Sequence, residues 1–82
     1  KGNLQYAQVK SIDEKSGLVV LNVGAKEDAR IGMVFNIMRG DVMVAEAMVA
    51  DVRPDICGGF VQQLQNDNNP VRFNDTASLK KN

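Results

Sequence analysis

The stretch VVLNVGAKEDARIGMVFNIMRGD, residues 19–41, carries the clearest indication of the fold. Short apolar runs rich in valine, leucine and isoleucine end at glycines, and Gly24, Gly32 and Gly40 stand eight residues apart. Runs of this length between turn residues are typical of β-strands. Glycine at the boundaries lets the backbone bend sharply at the least steric cost. The stretch therefore predicts two strands joined by a loop at residues 24–32, followed by a tight hairpin turn at residues 39–41.

These glycines do not match a phosphate-binding loop. A P-loop places lysine and then serine or threonine after its last glycine, whereas Met33 and Val34 follow Gly32. The dinucleotide-binding pattern spaces its glycines much more closely. The glycines are therefore interpreted as turn residues, with Ile31 pointing inward as a plug. The predicted turn residues are Gly17, Gly24, Gly32, Gly40 and Pro54.

Further apolar runs lie on both sides of this stretch. Strands are predicted at residues 4–12, 18–23, 33–38, 42–52, 58–65 and 75–79. A flat sheet of so few strands would leave exposed edges and a bare apolar face, whereas a closed barrel removes both. We predict an all-β fold, a single small barrel of five or six mostly antiparallel strands. It occupies residues 1–82 as one domain, and the first residue, Lys1, suggests a fragment of a longer protein.

The long run at residues 42–52 has a second interpretation, because its alanines and methionines also permit a helix. Its valine content and the hairpin turn before it favour a strand. In a strand, Val49 and Val52 share the inner face only if a β-bulge lies near Ala50 and Asp51. A short helical turn at residues 27–31 is predicted in either case. The predicted core consists of Val9, Val19, Leu21, Val23, Ile31, Phe35, Ile37, Val49, Val52 and Val61.

The composition argues against several classes of function. Ten basic and ten acidic residues give a formal net charge of zero, whereas surfaces that bind nucleic acid or anionic membranes usually carry a basic surplus. No apolar run approaches the roughly 20 residues of a membrane span. The chain has no histidine, and its single cysteine, Cys57, is predicted to be a buried, inert thiol. We predict no enzyme activity, catalytic residue, cofactor or metal, and no membrane insertion of this segment.

Residues 19–55, from VVLNVG to VRPD, resemble a small bacterial β-barrel domain. That domain is found at the C-terminus of coiled-coil envelope proteins of unknown function, notably in planctomycetes and verrucomicrobia. It is also similar to the C-terminal domain of the flagellar H-ring assembly protein. Asp28 and Asn74 stand where relatives often have glycine, and both residue types tolerate a left-handed backbone. The resemblance implies the barrel and an accessory role in the periplasm or cell envelope. It implies no catalytic residue.

Two functions follow as expectations. The first is a non-enzymatic protein-interaction or assembly module of an envelope-associated protein, whose partner is another protein or a further copy of the chain. Binding would then map to loops or to an exposed edge strand. The alternative is an oligonucleotide-binding barrel, which needs exposed aromatic residues and a basic groove. The candidate interaction residues are Lys26, Glu27, Asp28, Arg30, Asn66, Asp67, Asn68 and Asn69.

Overall fold

Six antiparallel strands form a closed barrel in the order β1-β2-β5-β4-β3-β6. The computed structural model describes residues 2–66 and 68–81. The strands are β1 (Ala7–Asp13), β2 (Leu18–Leu21), β3 (Val34–Arg39), β4 (Val42–Val52), β5 (Cys57–Leu64) and β6 (Thr76–Leu79). The predicted all-β class and the single small barrel are therefore confirmed. The described residues contain no helix with the length and hydropathy of a membrane span.

The segment Val42–Val52 is a strand along its whole length, so the helical alternative is wrong. The predicted bulge is present, because the register against β5 shifts between Val49 and Asp51. This extra residue lets Val49 lie in the core and lets Val52, three positions later, pack against the core from the same face. The only helical turn in the described residues is a 3₁₀ turn at Ala25–Glu27, earlier than the predicted residues 27–31.

The core of the barrel is built mostly from alternate residues of the strands, except in β4, where the consecutive residues Val44 and Ala45 are both buried. Seven of the ten predicted core residues are fully buried, whereas Val52 and Val61 are only partly buried and pack against the core. The prediction for Ile31 is wrong, because its side chain is 71% exposed. The fully buried members of the predicted set are Val9, Val19, Leu21, Val23, Phe35, Ile37 and Val49.

Ala29, and not Ile31, points inward from the loop that follows β2. The backbone N–H groups of Glu27 and Ala29 both donate to the Gly24 carbonyl at 3.0 Å, which curls the loop back on itself. Asp28 lies between them at φ 68° in the left-handed region, which aspartate is one of the few residue types to tolerate. This curl turns Ala29 inward, where it is 4% exposed. A small side chain therefore closes this end of the barrel.

The turn residues lie where the sequence predicts them. Gly17 and Gly40 are in the turns of the β1–β2 and β3–β4 hairpins, and Gly32 precedes β3. All three have positive φ. Pro54 lies in the corner between β4 and β5, where the Arg53 N–H donates to the Ile56 carbonyl at 2.9 Å.

Gly24 differs from these three glycines, because its φ of −143° is extended. A backbone of this kind is open to any residue, so conformational freedom does not explain the glycine. Gly24 instead lies against the Arg53–Ile56 corner, where there is no room for a side chain.

Candidate interaction site

The outer surface of the barrel differs in polarity from one side to the other. Side chains that point inward alternate with side chains that point outward along each strand. The outward positions of β1 and β6 carry polar residues, namely Gln8, Lys10, Thr76 and Ser78. On the opposite side, the outward residues in the middle of β2, β5 and β4 are apolar, and polar residues flank them, namely Glu46 and Asp51 on β4 and Gln62 and Gln63 on β5. We call this second surface the apolar face; it consists of Leu18, Val20, Met48, Ala50, Gly58 and Phe60, with Ile56 from the preceding corner.

The apolar face exposes large side chains to solvent. Phe60 is 42% exposed, Ile56 43% and Met48 38%. Isolated apolar residues are common on protein surfaces, but contiguous groups of them mark binding sites. The strand pairings make this group contiguous, because Phe60 lies directly opposite both Leu18 and Met48.

The face has a ridge beside a trough. Leu18, Phe60 and Met48 form a row across the three strands, which is the ridge. The next row contains Val20, Gly58 and Asp51. Gly58 has no side chain, so a groove of about 430 Å³ opens between Phe60 and the corner before β5; this groove is the trough. A Cβ atom at Gly58 would meet nothing closer than the Leu18 Cδ1, at 3.6 Å. The trough therefore has room for a side chain, either from a substitution or from a partner.

The charges beside the trough neutralise each other. Arg53 Nε donates to Asp51 Oδ2 at 3.0 Å, and Lys26 Nζ lies 3.0 Å from Asp55 Oδ1. All four side chains are more than half exposed, so water screens these pairs and they add little stability. The rim of the apolar face therefore has no net charge.

The two loops that the sequence singles out lie apart. In the first, Lys26, Asp28 and Arg30 are exposed, whereas Glu27 Oε1 accepts a hydrogen bond from the Gly24 N–H at 2.8 Å and helps to shape the loop. This loop is attached to the corner that borders the apolar face, because the Ala25 N–H donates to the Arg53 carbonyl at 2.8 Å.

The second loop covers the other end of the barrel, where Val71 is 2% exposed. Asn66 and Asn68 are exposed and joined by a hydrogen bond of 2.9 Å, from the Asn68 N–H to the Asn66 Oδ1. Asn69 is partly buried, and its Oδ1 accepts a hydrogen bond from Arg39 Nη1. Asp67 lies outside the described residues. The structure thus uses Asn69 for internal bonding and presents Asn66 and Asn68 to solvent.

Arg39 ties this second loop to the barrel. Its Nε and Nη2 donate to Asp75 Oδ1 and Oδ2 at 2.8 Å each, and Nη2 also donates to the Pro70 carbonyl at 2.9 Å. The hydrogen bond to Asp75 raises the pKa of Arg39. The Arg-Gly-Asp tripeptide at residues 39–41 therefore has its guanidinium engaged within the chain.

Cys57 lies inside the barrel wall and is 1% exposed. Burial raises the pKa of its thiol from 9.0 to about 11. Because the thiolate is the reactive form, this higher pKa lowers the reactive fraction of the thiol about 100-fold at pH 8. We expect a thiol–disulfide reagent to label the native chain at least ~100-fold more slowly than the urea-unfolded chain. Equal labelling rates in the two states would contradict the buried thiol.

Three of the four aromatic residues are exposed, namely Tyr6, Phe60 and Phe73, while Phe35 is core as predicted. Lys10 Nζ lies 5.6 Å from the centroid of the Phe73 ring, within the range of a cation–π contact. Phe73 and Phe60 project from different parts of the surface, so the exposed aromatics do not form one platform.

A second cleft of about 430 Å³ lies at the end of the barrel near the β1–β2 turn. Its floor is apolar, with Ile12, Val61 and Leu64, and its rim carries Glu14 and Lys15. In residues 2–66 and 68–81 no three histidine, cysteine, aspartate or glutamate side chains are grouped so that they could hold a metal.

Comparison of the chain with protein-family models, with curated proteins and with solved structures gave no match. The resemblance of residues 19–55 to the bacterial barrel domain therefore stays a prediction. The apolar face is the site that sequence reasoning missed. A signal for it exists, because Leu18–Leu21 is apolar at four consecutive positions. Such a strand has two apolar faces, and the barrel core covers only one of them.

Proposed function

We propose that the chain is a non-enzymatic protein-interaction or assembly module of a bacterial envelope-associated protein. The observation that carries the proposal is the apolar face, with Phe60, Ile56 and Met48 exposed around a trough. The resemblance of residues 19–55 supports the location at the envelope. Fully burying a large apolar side chain contributes about 1.5–3 kcal/mol, and these three are about 40% exposed, so each has about 1 kcal/mol left to contribute on binding.

The mode of binding follows from the closed barrel. All six strands have neighbours on both sides, so no whole strand is free at an edge to accept another strand. The expectation of an exposed edge strand is therefore wrong. A partner must dock its side chains against the outside of the sheet. The loop that contains Lys26 borders the apolar face and can add contacts at its rim.

Oligonucleotide binding has less support. It needs aromatic residues beside a basic groove. The basic groups beside the apolar face, Lys26 and Arg53, are each paired with a carboxylate. The Phe73 ring, on another part of the surface, lies under Lys10. The pattern of charges thus favours a protein partner.

The test is a charge placed in the trough. We expect Gly58→Arg, introduced into the full-length protein and expressed in the host organism, to reduce its assembly by at least ~10-fold. The long charged side chain would fill the trough and carry a charge into an apolar interface. Assembly is measured as the fraction of the protein that elutes in complexes on gel filtration.

The matched control is Gln8→Arg, which adds the same charge to the polar side of the barrel, where Gln8 points outward on β1. This control should assemble normally. If both variants assemble like the unmodified protein, the apolar face is not the binding surface and the proposal fails.

A further inference from the structure

On the apolar face, the ridge of large side chains lies beside a trough that could receive such a ridge from another molecule. Resting on the proposed interaction function, we propose that the apolar face binds a second copy of this chain, face to face. The two copies are related by a two-fold axis that lies in the interface and crosses β5 at Gly59. This is an isologous contact, in which the same surface is used by both partners.

The positions of Phe60 and Gly58 suggest this axis. Both residues point outward on β5, one on each side of the inward-facing Gly59. The axis lies in the plane of the interface and runs across the strands, perpendicular to β5 at Gly59. Rotation by 180° about it exchanges the positions of residues 58 and 60. Phe60 of each copy then enters the trough above Gly58 of the other. The missing Cβ at Gly58 leaves the space that the ring requires.

The same two-fold axis also exchanges positions on the flanking strands β2 and β4. Leu18 lies opposite Phe60 and Val20 lies opposite Gly58, so the axis places Leu18 of one copy against Val20 of the other. On β4, Met48 lies opposite Phe60 and Asp51 lies opposite Gly58, so the axis places Met48 of one copy against Asp51 of the other, whose carboxylate is paired with Arg53. Each large side chain of the ridge therefore meets a smaller one in the row across from it.

The charges permit the contact between identical copies. The chain has a formal net charge of zero, so two copies do not repel each other as whole molecules. Asp51 and Arg53, which line the trough, form a pair with each other and leave the face neutral. A strongly acidic or basic partner would find no unpaired opposite charge there, whereas a second neutral apolar face fits.

The chain has enough surface for a stable interface of this kind. A stable interface buries about 800 Å² on each partner. The described chain exposes 4976 Å², so such an interface needs less than a fifth of its surface. The apolar face spans three of the six strands. Two sheets packed in this way also bury the exposed portions of Phe60, Met48 and Ile56.

Sedimentation equilibrium of the purified chain tests the inference. We expect the average mass to rise with concentration from one chain to two, and to stop at two because an isologous contact is closed. Gly58→Arg and Phe60→Ser should each raise the dissociation constant of the dimer at least about 30-fold. Gln8→Arg should leave it unchanged. A chain that stays monomeric into the millimolar range would overturn the inference.

A swap of the two positions tests the axis itself. In the double variant Gly58→Phe with Phe60→Gly, ridge and trough exchange places but remain complementary across the same axis. We expect Gly58→Phe alone to block the dimer and the double variant to restore it. Circular dichroism must show that both variants are folded. A folded double variant that remains monomeric contradicts the arrangement.

The inference and the proposed function can fail separately. If the chain is monomeric but Gly58→Arg still disrupts the assembly of the full-length protein, the apolar face binds a different protein and only the inference fails. If the chain is monomeric and Gly58→Arg leaves assembly intact, both fail.

Discussion

Replacing Arg39 with methionine lowers the free energy of unfolding by about 3 kcal/mol or more, because it leaves a carboxylate without its partner inside the protein. The Asp75 side chain is 3% exposed, and Arg39 supplies both of its side-chain ion-pair contacts at 2.8 Å. Methionine keeps most of the length and apolar volume of the arginine stem. The variant therefore removes the charge with little change in packing.

The loss also releases the loop before β6. Besides Asp75, the guanidinium of Arg39 binds Asn69 and the Pro70 carbonyl, so one side chain joins the end of β3 to residues that lie some 30 positions later. The Arg72 N–H donates to Asp75 Oδ2 at 2.8 Å and is the remaining bond to that carboxylate oxygen. One peptide N–H does not compensate a buried negative charge.

Urea unfolding followed by circular dichroism measures the effect. The control is Arg53→Met, since the Arg53–Asp51 pair has side chains 68% and 63% exposed and its loss should cost less than about 1 kcal/mol. The double variant Arg39→Met with Asp75→Asn removes both charges and should be more stable than Arg39→Met alone. Equal losses for Arg39→Met and Arg53→Met would contradict the role given to Asp75.

Replacing Gly24 with alanine is expected to cost at least about 3 kcal/mol, which approaches the whole stability of a domain this small. An added Cβ would collide with the Arg53 carbonyl oxygen and would lie 2.6 Å from the Ile56 N and 2.8 Å from its O. All three obstacles are backbone atoms, which cannot move aside as a flexible side chain can. The contact between the loop after β2 and the corner before β5 would have to open.

Two other glycines serve as controls for the Gly24→Ala variant. Gly32 has φ +93° and nothing within 4 Å of an added Cβ, so Gly32→Ala should cost only the strain of a positive φ, about 1–2 kcal/mol. At Gly58 the nearest atom is 3.6 Å away, and Gly58→Ala should be neutral or slightly stabilising. Thermal unfolding ranks the three variants. A Gly24→Ala chain as stable as Gly32→Ala would contradict the steric argument.

Local sequence was sufficient to predict some features of the fold and insufficient for others. The strands, the hairpin turns and the bulge beside Ala50 follow from apolar periodicity and turn chemistry within a few residues. The residue type at position 28 permitted a left-handed backbone without fixing it, and the structure has Asp28 at φ 68°. The inward position of Ile31 was wrong because the loop closes on the Gly24 carbonyl and turns Ala29 inward instead.

The sequence by itself indicated an all-β chain of five or six short strands, for which a small closed or half-closed barrel was expected. The tertiary structure decided which residues share its surface. Strands β2 and β5 are neighbours although β3 and β4 lie between them in the chain, and this pairing assembles Leu18, Phe60 and Met48 into one apolar face. Arg39 and Asp75, 36 positions apart, meet for the same reason. Periodicity is a local property, whereas these contacts depend on strand order, which no single run of residues specifies.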